Sequence, residues 1–122
     1  MDIDTIKSVY FIGAGGIGMS ALVRFFLSKE KKVAGYDRTP SELTEKLIEE
    51  GADIHYKEDV DLIPDSFRSK EETLVVYTPA IPQDHQELKF FVENGFEIHK
   101  RSQVLGMITR SAKGLCVAGT HG

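Results

Sequence analysis

"SVYFIGAGGIGMSALVRFFL", residues 8–27, joins an apolar run to a glycine-rich turn and then to a helical pattern. Ser8 to Ile12 is β-branched and aromatic, which is typical of a buried strand. Apolar side chains then recur in steps of three and four, the spacing of one helix face: Met19, Leu22, Val23, Phe26 and Leu27. The stretch therefore predicts a strand, a tight turn and a helix, which is the first unit of an α/β fold.

The rest of the chain repeats this alternation. Further strands are predicted at 32–36, 52–56, 73–78, 96–99 and 115–118, and residues 57–69 are predicted as loop. One helix is predicted to begin at Thr39-Pro40-Ser41-Glu42, with Thr39 as its N-cap and Glu42 completing a capping box three residues later. Two more are predicted after the N-cap Asp84 and over 102–110. We expect an α/β fold: a Rossmann-like, doubly wound, mostly parallel sheet with helices on both faces.

The glycine-rich turn matches the pattern G-x-G-x-x-G between a strand and a helix. Its first glycine permits the turn, the second lets the backbone approach a diphosphate, and the third lets the helix pack on the strand. Asp37 follows Gly18 by 19 residues, at a predicted strand end where a carboxylate can bind ribose hydroxyls. A UDP-sugar fits, and so does a nicotinamide dinucleotide, bound by the NAD(P) domain of an oxidoreductase or of a ligand-sensing module. Arg38 would suit the 2′-phosphate of NADP. A purely structural turn remains the third interpretation.

Other candidates follow the later strands. Ligands of open parallel sheets bind beyond the carboxyl ends of the strands, where Thr78, His99 and Arg101 are expected. Thr78 can hydrogen-bond a base or ribose, and His99 and Arg101 can contact phosphate or sugar oxygens, although ordinary turn and surface positions fit equally well. His55 and His85 are predicted to be surface residues.

Composition narrows the class of protein. The 122 residues suit one domain, and the net charge of −4 argues against general binding to nucleic acid. No apolar run is long enough to cross a membrane, so we expect a cytoplasmic protein without a membrane partner. The single cysteine, Cys116, excludes an intrachain disulfide.

The last residues, Gly119-Thr120-His121-Gly122, follow an apolar run and supply the turn of a phosphate loop without its lysine and hydroxyl. We therefore expect a fragment. Residues 1–112 would form a nucleotide-binding domain, and residues 113–122 a linker, a first strand and a truncated phosphate loop of a missing ATP-binding domain.

Five motifs together resemble the N-terminal domain of the Mur ligases. They are Tyr10-Phe11-Ile12-Gly13-Ala14-Gly15-Gly16-Ile17-Gly18-Met19-Ser20, Gly35-Tyr36-Asp37, Val76-Tyr77-Thr78-Pro79-Ala80-Ile81, His99-Lys100-Arg101-Ser102 and Ala118-Gly119-Thr120-His121-Gly122. The resemblance covers nearly the whole chain, and it is closer to the members that add L-alanine.

The resemblance implies a peptidoglycan enzyme whose N-terminal domain holds the UDP part of UDP-N-acetylmuramic acid. By that resemblance the diphosphate lies on Ala14, Gly15, Gly16, Ile17 and Gly18, uridine lies near Asp37 and Thr78, and His99 and Arg101 line the nucleotide-sugar site. ATP would bind at Gly119, Thr120, His121 and Gly122, with Mg²⁺, once the rest of the protein is present. The resemblance implies no catalytic residue and no metal ligand within these 122 residues, so we expect no ligase turnover from them alone.

Overall fold

The computed structural model describes residues 5–15 and 18–111. The strands of this part are β1 (Ser8–Ile12), β2 (Lys32–Tyr36), β3 (Asp53–His55), β4 (Thr73–Tyr77) and β5 (Glu97–Lys100). Its α-helices are α1 (Met19–Ser28), α2 (Glu42–Glu50), α3 (Gln86–Glu93) and α4 (Arg101–Ser111). The predicted strand at 115–118, Cys116 and the phosphate-loop residues Gly119 to Gly122 lie outside the described residues.

The strands form one parallel sheet in the order β3-β2-β1-β4-β5. From β1, the chain adds β2 and then β3 on one side. It then crosses back and adds β4 and β5 on the other side of β1. This is the doubly wound order, so the predicted fold class is confirmed. The loops after β1, β2 and β4 consequently meet at one edge of the sheet, around the centre where the winding changes direction.

Apolar layers cover both faces of the sheet. Helices α1, α2 and α4 pack on one face, where the buried side chains include Phe11, Leu22, Phe26, Leu47, Val76 and Val104. Helix α3 packs on the other face with two single-turn 3₁₀ helices, and the buried side chains there include Tyr10, Ile12, Tyr36, Ile63, Phe67, Val75 and Phe91. Those 3₁₀ helices, Val60–Leu62 and Asp65–Phe67, lie within the segment predicted as loop.

The start of α2 differs from the prediction. Thr39 does not cap the helix, because its N–H donates to Oδ2 of Asp37 at 3.3 Å and the chain is still turning away from β2. Ser41 is the N-cap: its Oγ accepts the N–H of Thr44, and the Oγ1 of Thr44 accepts the N–H of Ser41. Thr44 thus takes the place that the sequence pattern gave to Glu42.

The start of α3 also differs. The N–H of His85 donates to the carbonyl of Pro82 at 3.1 Å, so Asp84 is still inside a turn and does not cap the helix. His85 is the N-cap, and its Nδ1 accepts the N–H of Glu87 at 3.2 Å. Across residues 5–15 and 18–111, we find no helix with the length and apolarity that a membrane crossing requires.

Candidate functional site

The glycine loop turns tightly over the ends of β2 and β4. The N–H groups of Gly13 and Ala14 both donate to the carbonyl of Tyr36, at 2.7 and 3.0 Å. Gly13 has a φ of +97°, and a Cβ on it would overlap the Cγ2 methyl of Thr78. Two features therefore require glycine at this position: its positive φ, and the close approach of Thr78, the residue that follows β4.

Asp37 directly follows β2 and lies against the second glycine of the pattern. The N–H of Gly15 donates to its Oδ1 at 3.1 Å. A Cβ on Gly15 would lie 2.8 Å from Cγ2 of Thr44 and 3.2 Å from Oδ2 of Asp37, so the close approach again excludes a side chain. Each carboxylate oxygen can accept two hydrogen bonds, which leaves Asp37 able to accept further donors from a ligand.

Arg101 lies over the beginning of α1. Gly18 is the N-cap, with φ +83°, no side-chain cap and no acidic residue in the first turn of the helix. A Cβ on Gly18 would be 3.0 Å from both Cδ and Nη1 of Arg101. Among the residues the structure describes, Arg101 has no carboxylate partner, and its side chain is exposed.

Two sources of positive potential therefore meet at Gly18. One is the amino end of α1, where unpaired N–H groups carry the positive end of the helix dipole. The other is the guanidinium of Arg101, whose forked donors match phosphate oxygens. Gly16 and Ile17, which the sequence also assigned to this loop, lie outside the described residues. The arrangement can hold a phosphorylated ligand without a metal ligand of its own.

His99 is engaged elsewhere. Its Nε2 lies 2.6 Å from Oε2 of Glu97, two residues earlier on the same edge strand. In the register with β4 it is opposite Val76, one step before the strand end. The structure thus brings together the glycine loop, Asp37, Thr78 and Arg101, and it pairs His99 with an acid of its own strand.

A cavity of about 580 Å³ adjoins the site at the end of β4. The residues on either side of Thr78, Tyr77 and Pro79, contribute to its wall. Leu88 of α3 and the β5 residues Ile98 and Lys100 also line it. It opens on the face of the sheet that α3 covers.

The prediction that His55 and His85 are surface residues is wrong. His85 is 4% exposed, and the side chain of His55 is 16% exposed. His55 contacts the fully buried carboxylate of Glu87, and the ring of His85 packs edge-on against Tyr36 with 4.7 Å between ring centroids. His55 follows the buried Ile54 on β3, so the two side chains lie on opposite faces of the sheet. Because both faces of a doubly wound sheet are covered, the position of His55 is enclosed as well.

Burial also changes the chemistry of two tyrosines on this face. Burial away from water raises the pKa of Tyr10 far above its ordinary value, and the nearby carboxylate of Glu87 is the second cause of this rise. Burial, followed by the charge of Glu58, raises the pKa of Tyr36. Both phenols are therefore neutral hydrogen-bond donors over the physiological pH range.

Comparison with known proteins identifies the family. The sequence model described as Mur ligase family, catalytic domain, matches residues 8–113. The chain is 76% identical to UDP-N-acetylmuramate–L-alanine ligase of Phocaeicola vulgatus and 63% identical to that of Parabacteroides distasonis, over all 122 residues in both cases. It spans only 27% and 26% of the length of those two proteins.

Solved structures give the same result for the fold. The crystal structure of UDP-N-acetylmuramate-alanine ligase from Thermotoga maritima superposes with a TM-score of 0.77 at 27% identity, over 87% of this chain and 23% of that one. The crystal structure of UDP-N-acetylmuramate:L-alanyl-gamma-D-glutamyl-meso-diaminopimelate ligase from Neisseria meningitides superposes with a TM-score of 0.69. The two sequences are 20% identical, and the superposition covers 82% of this chain and 30% of the Neisseria chain. This likeness supports the fold alone. The chain belongs to the Mur ligase family.

Proposed function

We propose that this chain holds the UDP part of UDP-N-acetylmuramic acid for an ATP-dependent ligase that attaches L-alanine to it in peptidoglycan biosynthesis. The relatives named for that reaction match the chain along its full length. The observation that carries the proposal is the guanidinium of Arg101 beside the uncapped start of α1 at Gly18. Its charge and the free N–H groups suit the two phosphates of UDP.

Each residue of the site has a role in this proposal. Residues 14–18 hold the diphosphate, with Gly15 already bound to Asp37 and the amino end of α1 free for phosphate. Asp37 accepts a ribose hydroxyl through its remaining lone pairs, and Thr78 contacts uridine. Arg101 neutralises phosphate, while His99 reaches the nucleotide-sugar only by giving up its contact with Glu97.

The chemistry of the whole protein follows from the low reactivity of a carboxylate. We assign residues 1–112 to the UDP-sugar domain, and residues 113–122 to a linker, a strand and the first part of an ATP loop at Gly119, Thr120, His121 and Gly122. ATP with Mg²⁺ would supply a phosphoryl group that activates the muramic acid carboxylate toward the amine of L-alanine. Across the part of the chain that the structure describes, no three His, Cys, Asp or Glu side chains are grouped to hold a metal ion. The protein would act in the cytoplasm.

The nicotinamide alternative is not favoured. It accounts for the glycine loop and Asp37 equally well, but relatives at 76% and 63% identity carry the names of ligases. Arg38 separates the two functions, because it would hold the 2′-phosphate of NADP and has no part in the UDP-sugar proposal.

A pair of variants tests the proposal by calorimetric titration. Arg101→Gln removes the charge beside Gly18, and we expect it to weaken binding of UDP-N-acetylmuramic acid about 10- to 100-fold, the equivalent of about 1.5–3 kcal/mol for a charged hydrogen bond. Arg38→Gln is the matched control and should bind like the unmodified chain. Tight NADPH binding that is lost in Arg38→Gln and kept in Arg101→Gln would overturn the proposal.

A further inference from the structure

Glu87 is a fully buried carboxylate in the first turn of α3, where it faces the sheet rather than solvent. Three donors converge on it. The hydroxyl of Tyr10 lies 2.5 Å from Oε1, and Nε2 of His55 and the N–H of Asp59 lie 2.8 and 3.0 Å from Oε2. The tautomer of His55 with a proton on Nε2 donates to this carboxylate. A buried carboxylate with three donors is satisfied, and loss of the acceptor would leave those donors unpaired.

The hydrogen bonds continue from Glu87 toward the glycine loop. The side chain of His55 binds Glu87, and the backbone carbonyl of the same His55 accepts the N–H of Asp37 at 3.0 Å. Asp37 in turn accepts the N–H of Gly15 at 3.1 Å. An unbroken path thus runs from α3, on one face of the sheet, through the end of β3 to the second glycine of the loop.

The other end of the path is fixed by the start of α3. Nδ1 of His85 accepts the backbone N–H of Glu87, and Oε2 of Glu58 accepts the N–H of Gln86 at 2.8 Å. The segment after β3 is therefore tied to α3 at Glu58 and, through the Asp59 N–H, at Glu87. Among the described residues, this path of hydrogen bonds reaches Gly15 through the N–H and the carboxylate of Asp37.

We propose that Glu87 and His55 are positioning residues that set the place of Asp37 and, through it, the geometry of the glycine loop. The proposal rests on the proposed function, because it makes UDP affinity depend on a carboxylate on the far side of the sheet. A buried network can have this effect because its members have few alternative partners. The binding change we expect is about tenfold.

Glu87→Gln tests this in the ¹⁵N-labelled chain, because it keeps the volume but turns part of the acceptor into a donor. We expect the amide signals of Gly15 and Asp37 to move in the ligand-free protein, and UDP to bind about tenfold more weakly. Ile63→Val is the control, because Ile63 lies in the same core layer and outside the path. It should leave both amide signals and the UDP affinity unchanged.

A second pair of variants covers the case in which Glu87→Gln does not fold. His55→Ala breaks the link at a partly exposed position, whereas His55→Gln keeps an N–H donor for Glu87. We expect His55→Ala to shift the Gly15 amide and weaken UDP binding, and His55→Gln to restore most of both.

The two readouts distinguish the two proposals. A folded Glu87→Gln or His55→Ala variant with an unmoved Gly15 amide and UDP affinity within twofold would overturn the positioning role. If the unmodified chain fails to bind UDP but its Gly15 amide still responds to Glu87→Gln, the positioning role stands and the proposed function fails.

Discussion

Replacing Gly13 by alanine tests the closest contact of the candidate site. Two costs arise in the folded state. Alanine at φ +97° is outside the conformations that side chains favour, and its Cβ would overlap the Cγ2 methyl of Thr78. Both costs arise within the loop. The loss of unfolding free energy in Gly13→Ala therefore measures how close the end of β1 lies to the end of β4.

The structure allows the two costs to be separated. Gly95 also has a positive φ, +76°, but the nearest atom to its added Cβ is Nζ of Lys70 at 3.8 Å. Gly95→Ala should therefore show the conformational cost alone, about 1–2 kcal/mol. Gly13→Ala adds the overpacking of a closed contact, about 1–3 kcal/mol, for a total of about 2–5 kcal/mol. That is a large share of the roughly 5–15 kcal/mol of a typical domain.

Urea unfolding of five proteins measures these quantities: the unmodified chain, Gly13→Ala, Gly95→Ala, Thr78→Ser and the double variant of Gly13 and Thr78. Serine lacks the Cγ2 methyl, so Thr78→Ser should recover about 1–3 kcal/mol of the Gly13→Ala loss as a coupling free energy. The reasoning is refuted if Gly13→Ala costs no more than Gly95→Ala, or if the coupling is zero.

Three further predictions follow from local geometry. Ser41→Ala should lower the free energy of unfolding by about 1 kcal/mol in urea titrations, because the N–H of Thr44 loses its cap; no change would contradict the capping role. Gly35→Ala places a Cβ 2.5 Å from the carbonyl oxygen of Phe11 on the neighbouring strand, so it should prevent a native ¹⁵N spectrum, and a native spectrum would contradict this register. Because burial and Glu87 raise the pKa of Tyr10, the folded chain keeps a proton that the unfolded chain loses. Stability should therefore fall above pH 10 by up to about 1.4 kcal/mol per pH unit, and Tyr10→Phe should flatten that slope.

The order of strands and helices could be predicted because the spacing of apolar residues changes near glycines. Continuous apolar runs indicate strands, and steps of three and four indicate helices. Apolar runs at 8–12 and 73–77 are buried on both faces, as strands at the centre of a parallel sheet require. The glycine pattern and Asp37 then predict a phosphate-type loop at the sheet edge. The hydrogen bond from Gly15 to Asp37 is not part of that prediction, because it depends on how the loop folds back over the end of β2.

The helix starts and the buried polar cluster could not be predicted in the same way. Thr39 and Ser41 are both capping residues by type, and only the turn made by Asp37 decides between them. His85 became a cap because the turn at Pro82 shifts the helix start by one residue. Glu87 looks like an ordinary acidic residue of a first turn, and its burial depends on donors from Tyr10 and His55, 77 and 32 residues away along the chain.

The most direct measurement follows the backbone amides of the ¹⁵N-labelled chain during separate titrations with UDP-N-acetylmuramic acid, NADH and NADPH. We predict that the UDP-sugar alone produces saturable shifts centred on Gly15, Gly18 and Asp37, with Thr78 also affected. Shifts of the same amides with a nicotinamide dinucleotide and none with the UDP-sugar would contradict the assignment of this site to UDP-N-acetylmuramic acid.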